Sequence, residues 1–128
     1  MADIIVPENI QGPSMDALKS DFNVHWDDTL WKDVEALAQA VSEARAIIVR
    51  NQTQINEALL THAPKLEVIA RAGAGLDNVD TQAAANRDIT VCYAPSENSL
   101  AVAELAMGFM LDLARFITSA HNDTKEGN

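Results

Sequence analysis

One pattern repeats about five times along this chain: a short apolar run, then a stretch with helical spacing. Ile4-Ile5-Val6 and Ala46–Val49 are apolar at every position, and Leu66–Ala70 and Ile89–Cys92 are nearly so. A strand with one wet face alternates, whereas a strand apolar on both faces belongs in a parallel sheet covered by helices on each side. Phe22–Trp26 does alternate, as a strand nearer the sheet edge would. Between the strands, Ser14 reads as the N-cap of a short helix with Met15 and Leu18 facing inward. Leu30, Val34, Leu37 and Val41 predict an amphipathic helix over residues 30–44. Ile55, Leu59 and Leu60 mark another, closed near Pro64, and Thr81–Arg87 a further short one. A long helix is expected from Asn98 to Ala120, followed by a polar tail over residues 121–128. Right-handed crossovers leave few topologies for such a series. The expected fold is α/β: a flavodoxin-like, doubly wound, parallel five-stranded sheet with helices on both faces. Residues 1–97 form that domain, and residues 98–120 a long helix leading out of it.

Size and composition agree with this. At 128 residues the chain fits one ordinary domain and buries roughly two-thirds of its unfolded surface without a disulfide or metal. Nine Lys and Arg against nineteen Asp and Glu give a net charge of −10. Both halves are acidic, 4 against 9 over residues 1–50 and 5 against 10 over residues 51–128. Without a basic face, neither nucleic acid nor an anionic membrane is an expected partner. A single cysteine, Cys92, excludes an internal disulfide and any Cys-rich zinc site, and reads as a small core residue. No basic segment precedes an apolar core at the start, so no signal peptide is read there. The richest apolar segment, Leu100–Ile117, has no charge-free stretch longer than seven residues, too short for a membrane span. The expected location is cytoplasmic.

In an open α/β sheet, ligands bind beyond the carboxyl ends of the strands. Three loops leave such ends with distinctive content: Arg50–Thr53, Arg71–Asn78 and Tyr93–Ser99. Arg50 and Arg71, two of only nine basic residues, directly follow or close neighbouring strands. They serve either an anionic ligand or nearby acids, and both readings stay open. Gly73-Ala74-Gly75 offers two of the three glycines of a dinucleotide fingerprint, with Glu97 about twenty residues on. Asn78 stands where the third glycine belongs, and the preceding strand is the fourth rather than the first of its unit. The fingerprint is therefore rejected. Either exposed backbone N–H groups in this loop cradle a small anion such as a carboxylate, or the turn merely needs glycine's freedom in φ. The residues alone favour the simple turn. His25, His62 and His121 are scattered, no acid–base or nucleophile–base pair is evident, and no catalytic residue is assigned.

The long helix carries a second clue. Leu105, Met107, Phe109, Met110, Leu113 and their apolar neighbours occupy nearly every side, leaving Glu104, Asp112 and Arg115 as a narrow polar stripe. A helix apolar almost all round expects burial from several directions. Either the other elements wrap it, or part of it meets a second subunit.

These features arrive together in one family. Ile48-Val49-Arg50-Asn51, Ala63-Pro64-Lys65-Leu66-Glu67-Val68-Ile69 and Arg71-Ala-Gly73-Ala74-Gly75-Leu-Asp77-Asn78-Val79-Asp80 are the first pieces. Asn86-Arg87-Asp88-Ile89-Thr90-Val91, Ala94-Pro95-Ser96-Glu97-Asn98-Ser99 and Val102-Ala103-Glu104-Leu105 follow in order. The span Ala46–Arg115 resembles the D-2-hydroxyacid dehydrogenases, above all their D-3-phosphoglycerate dehydrogenase-like branch; residues 1–45 agree only in strand–helix pattern. The resemblance implies the N-terminal substrate-binding domain of an NAD- or NADP-dependent oxidoreductase acting on small 2-keto and D-2-hydroxy acids. It implies that Gly73, Ala74 and Gly75 belong to the substrate site, with the backbone N–H groups of Ala74 and Gly75 offered to the substrate carboxylate and Ala74 also next to the cofactor. It implies that Arg50 and Arg71 contact a substrate phosphate, and that Asn98 and Ser99 line the cleft between domains.

The family continues into a Rossmann domain that carries the true fingerprint and the catalytic Arg, Glu and His, and this chain stops close to where that domain would begin. The expectation is a truncated fragment, engineered or natural, that binds no cofactor and is inactive alone. Its partners are then a small 2-keto or 2-hydroxy acid, the absent Rossmann domain, and a second copy held through helix 98–120 as a homodimer. Two other readings stand beside it: a stand-alone module that binds small carboxylates without turnover, and a purely structural fragment.

Overall fold

The computed structural model describes residues 2–127; Met1 and Asn128, the outer ends of the expected first domain and polar tail, lie outside the described residues. Five strands, β1 (Ile4–Val6), β2 (Val24–Trp26), β3 (Ala46–Val49), β4 (Val68–Arg71) and β5 (Thr90–Tyr93), form an all-parallel sheet in the order β2-β1-β3-β4-β5. That is the expected doubly wound order. Register aligns Ile5 with Ile47 and Ile47 with Ile69, and all three are essentially inaccessible. They floor the main core, which Leu37, Val41, Leu59, Leu60, Ala83 and Ala84 close from above. On the other face Ile4 and Val6 pack with Met15 in a smaller cluster that reaches as far as Ile48 of β3.

The helices form where local chemistry satisfies their free N–H groups. Asp33 accepts from Glu35 N and Ala36 N at 3.1 and 3.0 Å to start α2 (Val34–Val41). Asn56 caps α3 (Glu57–Thr61) through Leu59 N, and Asp80 caps α4 (Thr81–Ala85) through Ala83 N. Each such cap contributes about 1 kcal/mol.

Several expected boundaries shift for identifiable reasons. In α1 (Pro13–Asp21) the cap is Gly12, at φ 137°, rather than Ser14; Pro13 takes the first helical position, where its missing N–H costs nothing. The helix expected over 30–44 splits, because the Asp33 cap separates a 3₁₀ turn at Leu30–Lys32 from α2. Ile55 lies before α3 and forms a parallel bridge with Val79. Cys92 is exposed rather than core, because β5 is the second edge strand and the cluster under α1 ends at β3.

The described residues fall into two compact units, divided between Pro95 and Ser96, and each is described by itself. The second unit holds α5 (Ser99–Arg115) and α6 (Ile117–Lys125) instead of one continuous helix and a tail. Phe116 breaks the run in the left-handed region at φ 55°. Asp112 stabilises the break, accepting from Thr118 N at 2.7 Å and Thr118 Oγ1 at 2.9 Å. No residue of α5 or α6 is buried. Among the described residues, no helix is long and apolar enough to cross a membrane.

Candidate functional site: an anion cradle at the carboxyl edge

The parallel register pairs Val49 with Arg71, so the loops leaving β3 and β4 emerge side by side. Arg71 closes β4, and its side chain is only 12% exposed. Its guanidinium lies against the glycine loop. A methyl group on Gly73 would fall 2.0 Å from Arg71 Nη1, and one on Gly75 would fall 4.0 Å from Arg71 Nη2. Neither glycine has positive φ; among the described glycines only Gly12 and Gly127 do. The simple-turn reading of this loop is therefore overturned. Gly73 is small because a buried cation occupies the space a side chain would take.

That cation is poorly satisfied from within. Its nearest acid is Asp77, at 3.9 Å from Nη2 and largely exposed, and Arg71 Nε is buried with no hydrogen-bond partner. The backbone N–H groups of Ala74 and Gly75 make no hydrogen bond with any described residue, while Gly73 N is taken up by Arg71 O. Unused N–H donors in the loop that the incompletely neutralised guanidinium lies against are chemistry that suits an anion. Arg50 begins the neighbouring loop; it is exposed, and its side chain makes no ion pair among the described residues. Asn98 and Ser99 belong to the second unit, where Asn98 is the N-cap of α5 without a side-chain cap bond.

Two residues that organise this edge escaped the sequence reading. Glu8, just after β1, is 1% exposed, and its carboxylate accepts four backbone N–H groups. Oε1 receives Arg50 N and Thr53 N, both at 3.0 Å; Oε2 receives Asn51 N and Gln52 N, both at 3.1 Å. Burial raises the pKa of Glu8, but the N–H groups of Thr53, Arg50 and Gln52 together outweigh it and hold the pKa below the usual carboxylate value. Asn78, read from the sequence as standing where a third glycine belongs and given no role of its own, is buried. Its Nδ2 donates to Thr53 O at 2.8 Å, and its own carbonyl accepts Ile55 N at 2.9 Å. The signal for Glu8 was available: it too follows a strand at the carboxyl edge.

β4, α4 and β5 do form a parallel βαβ unit, contrary to the sequence expectation that the strand before this loop opens none. The loop still departs from the dinucleotide fingerprint, because Arg71 fills the space beside Gly73 and Asn78, in place of the third glycine, is committed to Thr53. A cavity of about 640 Å³ is lined mainly by α2 and α3 with Trp31, Leu37, Leu59 and His62, and also by Gln52 of the turn that Glu8 holds.

Comparison with known proteins gives a consistent match. The family model described as D-isomer specific 2-hydroxyacid dehydrogenase, catalytic domain, matches residues 4–126. A D-3-phosphoglycerate dehydrogenase of Mycobacterium bovis is 37% identical over 123 residues, covering 96% of this chain and 23% of the relative. The chain thus spans about a quarter of the length of such relatives. A protein of Pyrococcus horikoshii of known structure superimposes with a TM-score of 0.79 at 29% identity, over 99% of this chain and 38% of that one. An NADPH-dependent glyoxylate/hydroxypyruvate reductase of Sinorhizobium meliloti, solved with NADP and malonate, gives 0.78 at 27% identity, over 97% and 38%.

Proposed function

The chain belongs to the D-isomer specific 2-hydroxyacid dehydrogenase family, and on that premise we propose that it is the N-terminal substrate-binding part of an NAD- or NADP-dependent enzyme of phosphoglycerate dehydrogenase type. The substrate is a small 2-keto or D-2-hydroxy acid. Its carboxylate sits on the free N–H groups of Ala74 and Gly75, and Arg50 and Arg71 contact a phosphate at the far end of the molecule. Ala74 is the residue nearest the cofactor in the intact enzyme. The reading is carried by one observation, the nearly buried Arg71 guanidinium laid along a glycine loop whose donors are unused.

Hydride transfer needs a bound nicotinamide and a proton donor for the developing alkoxide. On this reading the residues of this chain bind and orient the acid, the nicotinamide and the proton donor belong to the rest of the intact enzyme, and the chain alone is a binding unit without turnover. The same reading makes α5 a contact for a second copy of the chain.

Titration with D-3-phosphoglycerate, followed through amide resonances, tests the site. Saturable shifts are expected at Ala74 and Gly75, and Arg71→Ala should weaken binding at least tenfold, the scale of a lost charge-assisted hydrogen bond. NADH oxidation with phosphohydroxypyruvate should stay at the no-protein blank. Unchanged affinity in Arg71→Ala would refute the site, and measurable oxidation would refute the division of labour.

A further inference from the structure

Among the described residues only three polar or charged residues are buried, Glu8, Thr53 and Asn78, and all three meet at one place. Thr53 joins the other two: its N–H goes to Glu8 and its carbonyl to Asn78. Four successive N–H groups, from Arg50 to Thr53, converge on the Glu8 carboxylate, which makes this turn an anion nest filled by the protein's own side chain. The bonds span 42 to 45 residues of sequence, so the loop after β3 takes its shape from a charge supplied by the loop after β1. Asn78 then ties the far end of that turn to the end of the glycine loop.

Arg50 is the first residue of this nest. Its backbone is held by Glu8 while its guanidinium stays free, one strand away from Arg71. We infer that Glu8 is a positioning residue that fixes Arg50 relative to the Arg71–Gly75 loop, and so sets the preference for a 2-hydroxy acid bearing a second anionic group. Glu8 itself touches no ligand. The inference rests on the anion site proposed above and adds a residue to it. Ionised Glu8 is required, because only a carboxylate can accept from all four N–H groups.

The test is a double-mutant cycle with two acids. The wild-type chain, Glu8→Gln, Arg50→Ala and the double variant are titrated with D-3-phosphoglycerate and with D-glycerate, following the Ala74 and Gly75 amides. Gln keeps the shape of Glu but turns an amide nitrogen towards two of the N–H groups. Glu8→Gln should weaken the phosphorylated acid by roughly tenfold, leave D-glycerate unchanged, and add nothing to Arg50→Ala in the double variant. Equal loss for both acids, or additive losses, would mean general damage and overturn the inference. Unaltered binding of the phosphorylated acid by Glu8→Gln would overturn the role of Glu8 while leaving the site intact. A wild-type chain that binds neither acid would instead overturn the site itself. Should Glu8→Gln fail to fold, Glu8→Asp, which keeps the charge but withdraws it by one methylene, takes its place with the same expected pattern.

Discussion

Gly73 and Arg71 explain each other. The guanidinium rests where a Cβ of residue 73 would project, and that leaves the flanking N–H groups of Ala74 and Gly75 open. A methyl at 73 strikes the flexible end of a side chain rather than backbone, so the fold should tolerate it while the cation moves. Gly73→Ala is expected to change unfolding stability by no more than about 1 kcal/mol. The same substitution should lower affinity for D-3-phosphoglycerate about tenfold. Urea midpoints and the amide titration together check this, and a stable variant with wild-type affinity would contradict it. Arg50 and Arg71 were legible in the sequence because position alone, at the ends of adjacent strands, marks them. The reason for Gly73 was not: glycine's freedom in φ and its lack of a side chain look identical until a neighbour is placed beside it.

Elements were legible where hydrophobic spacing is local. The apolar runs placed all five strands to within about two residues, the usual latitude of such boundaries. Spacing misled at Leu30, where a residue of helical periodicity lies ahead of the Asp33 cap. It misled again at Phe116, since Phe116-Ile117 continues the apolar pattern straight through the left-handed break that Asp112 and Thr118 close. What remains true of α5 is its composition: Leu105, Phe109, Met110 and Leu113 are all more than half exposed. Apolar surface on this scale drives association. The chain is expected to self-associate, with a concentration-dependent mass in sedimentation that Phe109→Glu removes. A strictly monomeric wild type at high concentration would end the idea.

For the whole molecule, the buried Glu8 couples stability to pH. Its folded pKa lies below its unfolded value, so its ionised form stabilises the protein above the unfolded pKa, and that contribution is lost as pH falls through the folded pKa. Asp27, held down by the Thr29 N–H and hydroxyl, and Glu67, held down by Arg45, act in the same direction. Glu67 is exposed and Asp27 only partly covered, and both contribute little. Urea midpoints measured downward from neutral pH should fall through the acidic range, and Glu8→Gln should show a shallower fall; equal slopes would remove Glu8 from the account. The alternation of short apolar runs with helical spacing determined the parallel sheet and narrowed its strand order to few choices, because those follow from local pattern and a fixed crossover hand. Only the tertiary structure decided how that edge is held. Glu8, Thr53 and Asn78 are brought together across up to 45 residues of chain, and neither propensity nor spacing reports which buried charge will meet which free N–H group.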